Sequence, residues 1–153
     1  MNASTPTDLL ASDTVLIFDL SGKRVVDVLR PTQIIEPAKL IASDSGQSMT
    51  EKIQQIKDAA TAADVIGIKF DKFADGRSYS IAARLREAGY TGALHALGDI
   101  NQELVFMLKR VGFTHFHLPD PGISELAPHI LEPFAGYYQA AQDGSQAPWQ
   151  KTA

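Results

Sequence analysis

Two segments of the chain repeat one chemical pattern. Ala88-Gly89-Tyr90-Thr91 and Val111-Gly112-Phe113-Thr114 each close an amphipathic stretch and lead into an apolar one, with their glycines 23 residues apart. Glycine at such a point supplies the left-handed residue that ends a helix, and the aromatic after it can fold back onto that helix. This spacing suits one compact helix-plus-strand unit, so the repeat ties the chain to alternating helices and strands. Short connections between such units call for parallel strands and right-handed crossovers.

The remaining elements follow from local chemistry. Asp64–Phe70 reads as a buried strand, and Ser78–Ala88 as a helix with Ile81, Leu85 and Ala88 on one face. Ala93–Leu97 is the next strand. Asp99 then caps a helix whose Leu104, Met107, Leu108 and Val111 recur at i, i+3, i+4 and i+7. Thr114–Leu118 is a further strand, and a last helical stretch runs to about Ala141, broken by Pro128 and Pro133. Upstream, Ser48 and Glu51 form a capping box before Ile53 and Ile56, and Pro37 opens a short helix after a strand at Ile34-Ile35. Val15–Phe18, the turn Ser21-Gly22-Lys23 and Val25–Val28 predict an antiparallel hairpin.

The expected fold is therefore α/β: consecutive β-α-β-α-β-α units on a mainly parallel sheet, open and doubly wound or resembling part of a TIM barrel, with an N-terminal hairpin. Residues 1–12 and 142–153 are polar and read as flexible ends, leaving 13–141 as one domain. Trp149 falls in the second of these ends and reads as an exposed or loosely docked ring.

Composition narrows the chemistry. Of 153 residues, 44% are hydrophobic and 21% charged, enough for a core without staples. There are no cysteines, which excludes thiol nucleophiles, disulfides and Cys-ligated zinc or iron–sulfur centres on this chain. A net charge of −4 favours neither nucleic acid nor an anionic membrane. Met1–Ala11 has neither the basic start nor the apolar run of a signal peptide, and no apolar run approaches a membrane span, so the expected location is the cytoplasm. No GxGxxG follows a strand, so there is no nicotinamide fingerprint; GxxxxGK[ST] and GxSxG are absent too, and the cofactor is left open.

In parallel α/β folds, ligands bind beyond the carboxyl ends of the strands. Three loops meet that condition: Asp71–Tyr79, Gly98-Asp99 and Pro119–Gly122. They bring Asp75, Asp99 and Asp120 toward one crevice, with Lys69 and Arg77 nearby. Arg77, Asp75, Ser78, Tyr79 and Asp99 form the candidate ligand-binding set, because a guanidinium before a helix N-terminus adds a fork of donors to free amides. Asp75 and Asp99 are the candidate catalytic carboxylates. The plainer reading makes Asp99 a helix cap, Asp75-Gly76 a turn and Arg77 a pin between loops. His115 and His117 share a strand face, with His95 at a comparable position one strand earlier, so these three are the candidate metal ligands. Their alternative is ordinary burial in a mixed sheet.

The segment Phe70-Asp71-Lys72-Phe73-Ala74-Asp75-Gly76-Arg77-Ser78-Tyr79-Ser80 adds a further signal. With Leu85-Arg86, Gly89-Tyr90, Gly92, Leu94, Ala96 and Gly98-Asp99, it resembles the bacterial Domain of Unknown Function 934 family over residues 15–120, most closely from 66 to 118. That family is labelled an oxidoreductase of sulfite reduction because it is encoded beside assimilatory sulfite reductase. The resemblance implies a role in sulfur assimilation, with sulfite reductase or another protein of that route as partner. His95 and Val111 stand where the family commonly has Arg and Cys, and Gln102-Glu103-Leu104 replaces the usual Arg-Asp-Gln. A redox role would thus need a bound cofactor or a partner's centres.

Three functions are open on these residues. The first is an accessory protein of sulfite reduction that binds an oxyanion or the reductase at the strand ends. A second is a small α/β enzyme using Asp75 and Asp99, with Mg²⁺ as the hard cation that oxygen ligands suit. The third is a non-catalytic interaction module presenting Tyr90, Phe113 and the segment 119–133, residues that would otherwise cover the sheet.

Overall fold

The computed structural model describes residues 15–26, 30–43, 45–61, 64–72, 75–119 and 125–131. Strand β1 (Val15–Asp19) is followed by β2 (Gln33–Ile35), helix α1 (Pro37–Ala42), α2 (Met49–Ala59), β3 (Val65–Phe70) and α3 (Gly76–Glu87). Then come β4 (Ala93–Gly98), a 3-10 turn (Gln102–Leu104) running into α4 (Val105–Arg110), β5 (His115–Pro119) and α5 (Pro128–Leu131). One five-stranded sheet results, in the order β1-β5-β4-β3-β2.

The pairs β2–β3, β3–β4 and β4–β5 are parallel, and β1 joins β5 antiparallel, with Phe18 opposite Phe116 and Asp19 opposite His115. The four parallel strands follow chain order without a reversal. That is the one-way winding of a barrel segment, and it lacks the switch point at which a doubly wound sheet opens its crevice. One-way winding with crossovers of one hand puts the helices on one face. Burial agrees: Ile66, Ile68, Phe70, Leu94, Ala96, Phe116, Leu118 and Phe18 share one core cluster with Ile53 of α2, Ile81 and Leu85 of α3, and Val105 and Leu108 of α4. The opposite face carries the odd-numbered residues of β1, β3, β4 and β5, among them Gly67, His95, Leu97, His115, His117, Ile17 and Asp19, whereas in β2 Ile35 pairs with Ile68 on the core face.

Local chemistry sets the ends of the elements. Ser48 and Glu51 close the expected capping box on α2. Gly89 and Gly112 adopt φ of 100° and 108°, and the amides of Tyr90 and Phe113 bond back to the carbonyls of Leu85 and Leu108. Both aromatics are buried in the core, so they form no contact surface. The cap before α4 falls on Asn101, whose Oδ1 accepts from the Glu103 amide at 2.9 Å, and not on Asp99.

The hairpin turn forms as expected. Asp19 Oδ1 accepts from the amides of Ser21 and Lys23, Phe18 bridges Arg24, and the Val25 amide donates to the Ile17 carbonyl. Residues 25 and 26 are not in a strand, and 27 and 28 lie outside the described residues. The expected flexible ends, 1–12 and 142–153 with Trp149, and the helical stretch beyond Leu131 also fall outside them.

Candidate functional site

The helix α3 is the next element after the carboxyl end of β3. Asp75 sits just before that helix with extended backbone, φ −75° and ψ 93°, and accepts from the Arg77 amide at 3.1 Å. This is an N-cap, which satisfies one of the helix's free donors. Arg77 then reaches back to the same carboxylate, with Nε on Oδ1 at 2.9 Å and Nη2 on Oδ2 at 3.0 Å. The fork that could grip a free oxyanion therefore grips Asp75. The Arg77 guanidinium holds the Asp75 carboxyl below its usual range, and the carboxylate in turn raises Arg77. Asp75's side chain is only 7% exposed, whereas that of Arg77 is 46% exposed, so one edge of the fork faces solvent.

Ser78 is buried, and its hydroxyl donates to the Lys69 carbonyl at 2.8 Å, fastening α3 to β3. Tyr79 stands edge-on to Phe70 with centroids 5.2 Å apart, and burial pushes its phenol up. Lys69 pairs loosely with Asp71 at 3.7 Å. Asp71, Lys72, Asp75 and Arg77 line a shallow depression of about 240 Å³. One strand over, Gly98 holds φ at 93°, and a Cβ there would run into the Phe70 carbonyl. This close approach lets the Asp99 amide donate to Phe70 O at 2.9 Å, and the Asp99 residue is exposed. Asp75 and Arg77 line the depression, and Asp99 is tied to the last residue of β3 through its backbone; Ser78 points into the scaffold, and Asp120 lies outside the described residues.

The three histidines do share a face, the one opposite the helices. His95 and His117 are 0% and 3% exposed, and His95 Nδ1 lies 2.8 Å from His117 Nε2. His115, half-buried, stacks on His95 at 4.4 Å, and its Nδ1 is 2.8 Å from the Thr114 hydroxyl. One ring of the pair must donate and the other accept, so every neutral arrangement leaves one N–H and one lone pair unused. Those atoms are His95 Nε2 and His117 Nδ1, which are buried and have no hydrogen-bond partner among the described residues. Burial drives both imidazoles far down from the ordinary histidine range, with repulsion from His117 and His115 adding to it at His95, and from His115 and Arg30 at His117. Among the described residues, no group of three or more His, Asp or Glu is placed to hold a metal ion. No helix among them is long and apolar enough to cross a membrane.

Two cations stood out only in three dimensions. Arg86 donates to the carbonyls of Tyr90, Gly92 and Gly112, and Lys52 donates to those of Leu40 and Ser43. Each lies in or near the last turn of a helix or reaches one, where a cation complements the carbonyl end of the dipole. For Arg86 the sequence signal is a basic residue close to a helix stop, which does not name its acceptors; Lys52, near the start of α2, carries no such signal.

Fold and rim together describe an α/β protein with a one-way-wound sheet and a charged rim at its strand ends. The chain belongs to the family described as "Bacterial protein of unknown function (DUF934)", which it matches over residues 47–149. No curated protein and no solved structure matches it significantly.

Proposed function

We propose that this chain is an accessory protein of assimilatory sulfite reduction, and that it docks on the reductase through the rim at the carboxyl ends of its parallel strands. Its link to sulfur assimilation rests on the resemblance carried by Phe70–Ser80 and the Gly89–Asp99 segment. The choice of a protein partner over a free oxyanion rests on one observation, the two-point grip of Arg77 on Asp75. An oxyanion would have to displace a carboxylate already held by two charge-assisted bonds. What remains exposed at these strand ends is a mixed set of charges, Asp71, Lys72, Arg77 and Asp99. Such mixed charge sets register and on-rate in a protein interface more than it binds a small anion.

The test measures binding of the purified chain to sulfite reductase at low and moderate salt, with wild type, Lys72→Glu and Asp99→Lys. The expected result is salt-sensitive binding that either reversal weakens by about tenfold, a loss of about 1.4 kcal/mol. Absence of binding, together with normal growth of a deletion strain on sulfate, sinks the proposal. Binding of sulfite or sulfate alone, lost in Arg77→Lys, would restore the oxyanion reading instead.

A further inference from the structure

We draw no further inference here: the strongest candidate, the buried His95–His117 imidazole pair on the face of the sheet opposite the core, carries no ligand proposal, because a cation seated between the facing nitrogens would leave both outer nitrogens as unpartnered N–H groups and nothing among the described residues shows what covers that pair.

Discussion

The Arg86 guanidinium grips the Gly112 carbonyl through two nitrogens, Nε at 3.1 Å and Nη2 at 2.6 Å, while Nη1 reaches the carbonyls of Tyr90 and Gly92. One side chain near the end of α3 thereby joins the loop after its own helix to the loop after α4. Gly112 permits this by having no Cβ, since one placed there would lie 2.6 Å from Arg86 Cγ.

Removing Arg86 therefore strips four donors from three carbonyls at once. Hydrogen bonds from a charged donor contribute about 1.5–3 kcal/mol each, and these share one side chain, so Arg86→Ala should cost about 2–4 kcal/mol. Arg86→Lys should recover less than half, because a single ammonium cannot span carbonyls arranged for a planar fork. Urea unfolding measures both. A loss below about 0.5 kcal/mol for the alanine variant would refute the clamp.

Asp75 and Arg77 should differ in weight despite being bonded to each other. Arg77 is half exposed, and exposed pairs contribute about 0–1 kcal/mol, so Arg77→Lys should melt within a few degrees of wild type. Asp75→Ala also removes the N-cap of α3, at a cost of about 1 kcal/mol. Thermal melts should rank the alanine variant lower. The reverse order would mean that Arg77 holds something other than its cap.

Gly98 and Gly76 make an internal control for the strand-end rim. Gly98→Ala forces a side chain into positive φ and against the Phe70 carbonyl, and should cost about 1–3 kcal/mol while shifting Asp99. At Gly76, the first residue of α3, a Cβ meets nothing within 4 Å, so Gly76→Ala should stay within about 0.5 kcal/mol of wild type. Equal effects from the two substitutions would contradict the close approach of β4 to β3.

How much of this was legible in the sequence depended on range. The units from β3 to β5 could be read because their glycine stops, capping residues and apolar periods are local. Ser48 and Glu51 capped α2 as read, for the same reason. The cap of the following unit went to Asn101 because Gly98 and Asp99 are committed to clearing Phe70, a contact between strands. The pairing of β1 with β5 joins distant parts of the chain, and nothing in Val15–Asp19 names its partner. Parity alone put the three histidines on one face. The hydrogen bond between His95 and His117 depends on ring positions across two strands, which the sequence does not specify.

That pair makes the sharpest prediction, on pH. Both imidazoles are neutral in the folded protein because burial, and after it the nearby positive charges, lower their affinity for protons. In the unfolded chain they titrate near 6.5. Above that pH neither state binds the protons, so the pair contributes no pH dependence. As the pH falls below it, the unfolded chain takes up two protons that the folded protein refuses, and stability must fall. The limiting slope is about 2.7 kcal/mol per pH unit for two protons, so the protein should be roughly 3 kcal/mol less stable at pH 5.5 than at pH 8. This window lies above the range where Asp19, Asp64 and Asp75, whose pKa values are lowered on folding, begin to lose their own contribution. Replacing both rings, His95→Leu with His117→Leu, removes the pair's titration and the two unpartnered nitrogens together, leaving only the contribution of His115, whose pKa burial also lowers. Exchanging both members of a buried polar pair for apolar side chains is close to neutral, so the double variant should match wild type at pH 8 and surpass it at pH 5.5. Urea titrations at the two pH values compare them, and imidazole NMR shifts read the rings directly in wild type. A wild-type curve that is flat from pH 6.5 to 5, or either ring titrating near 6.5 in the folded protein, would refute the neutral pair.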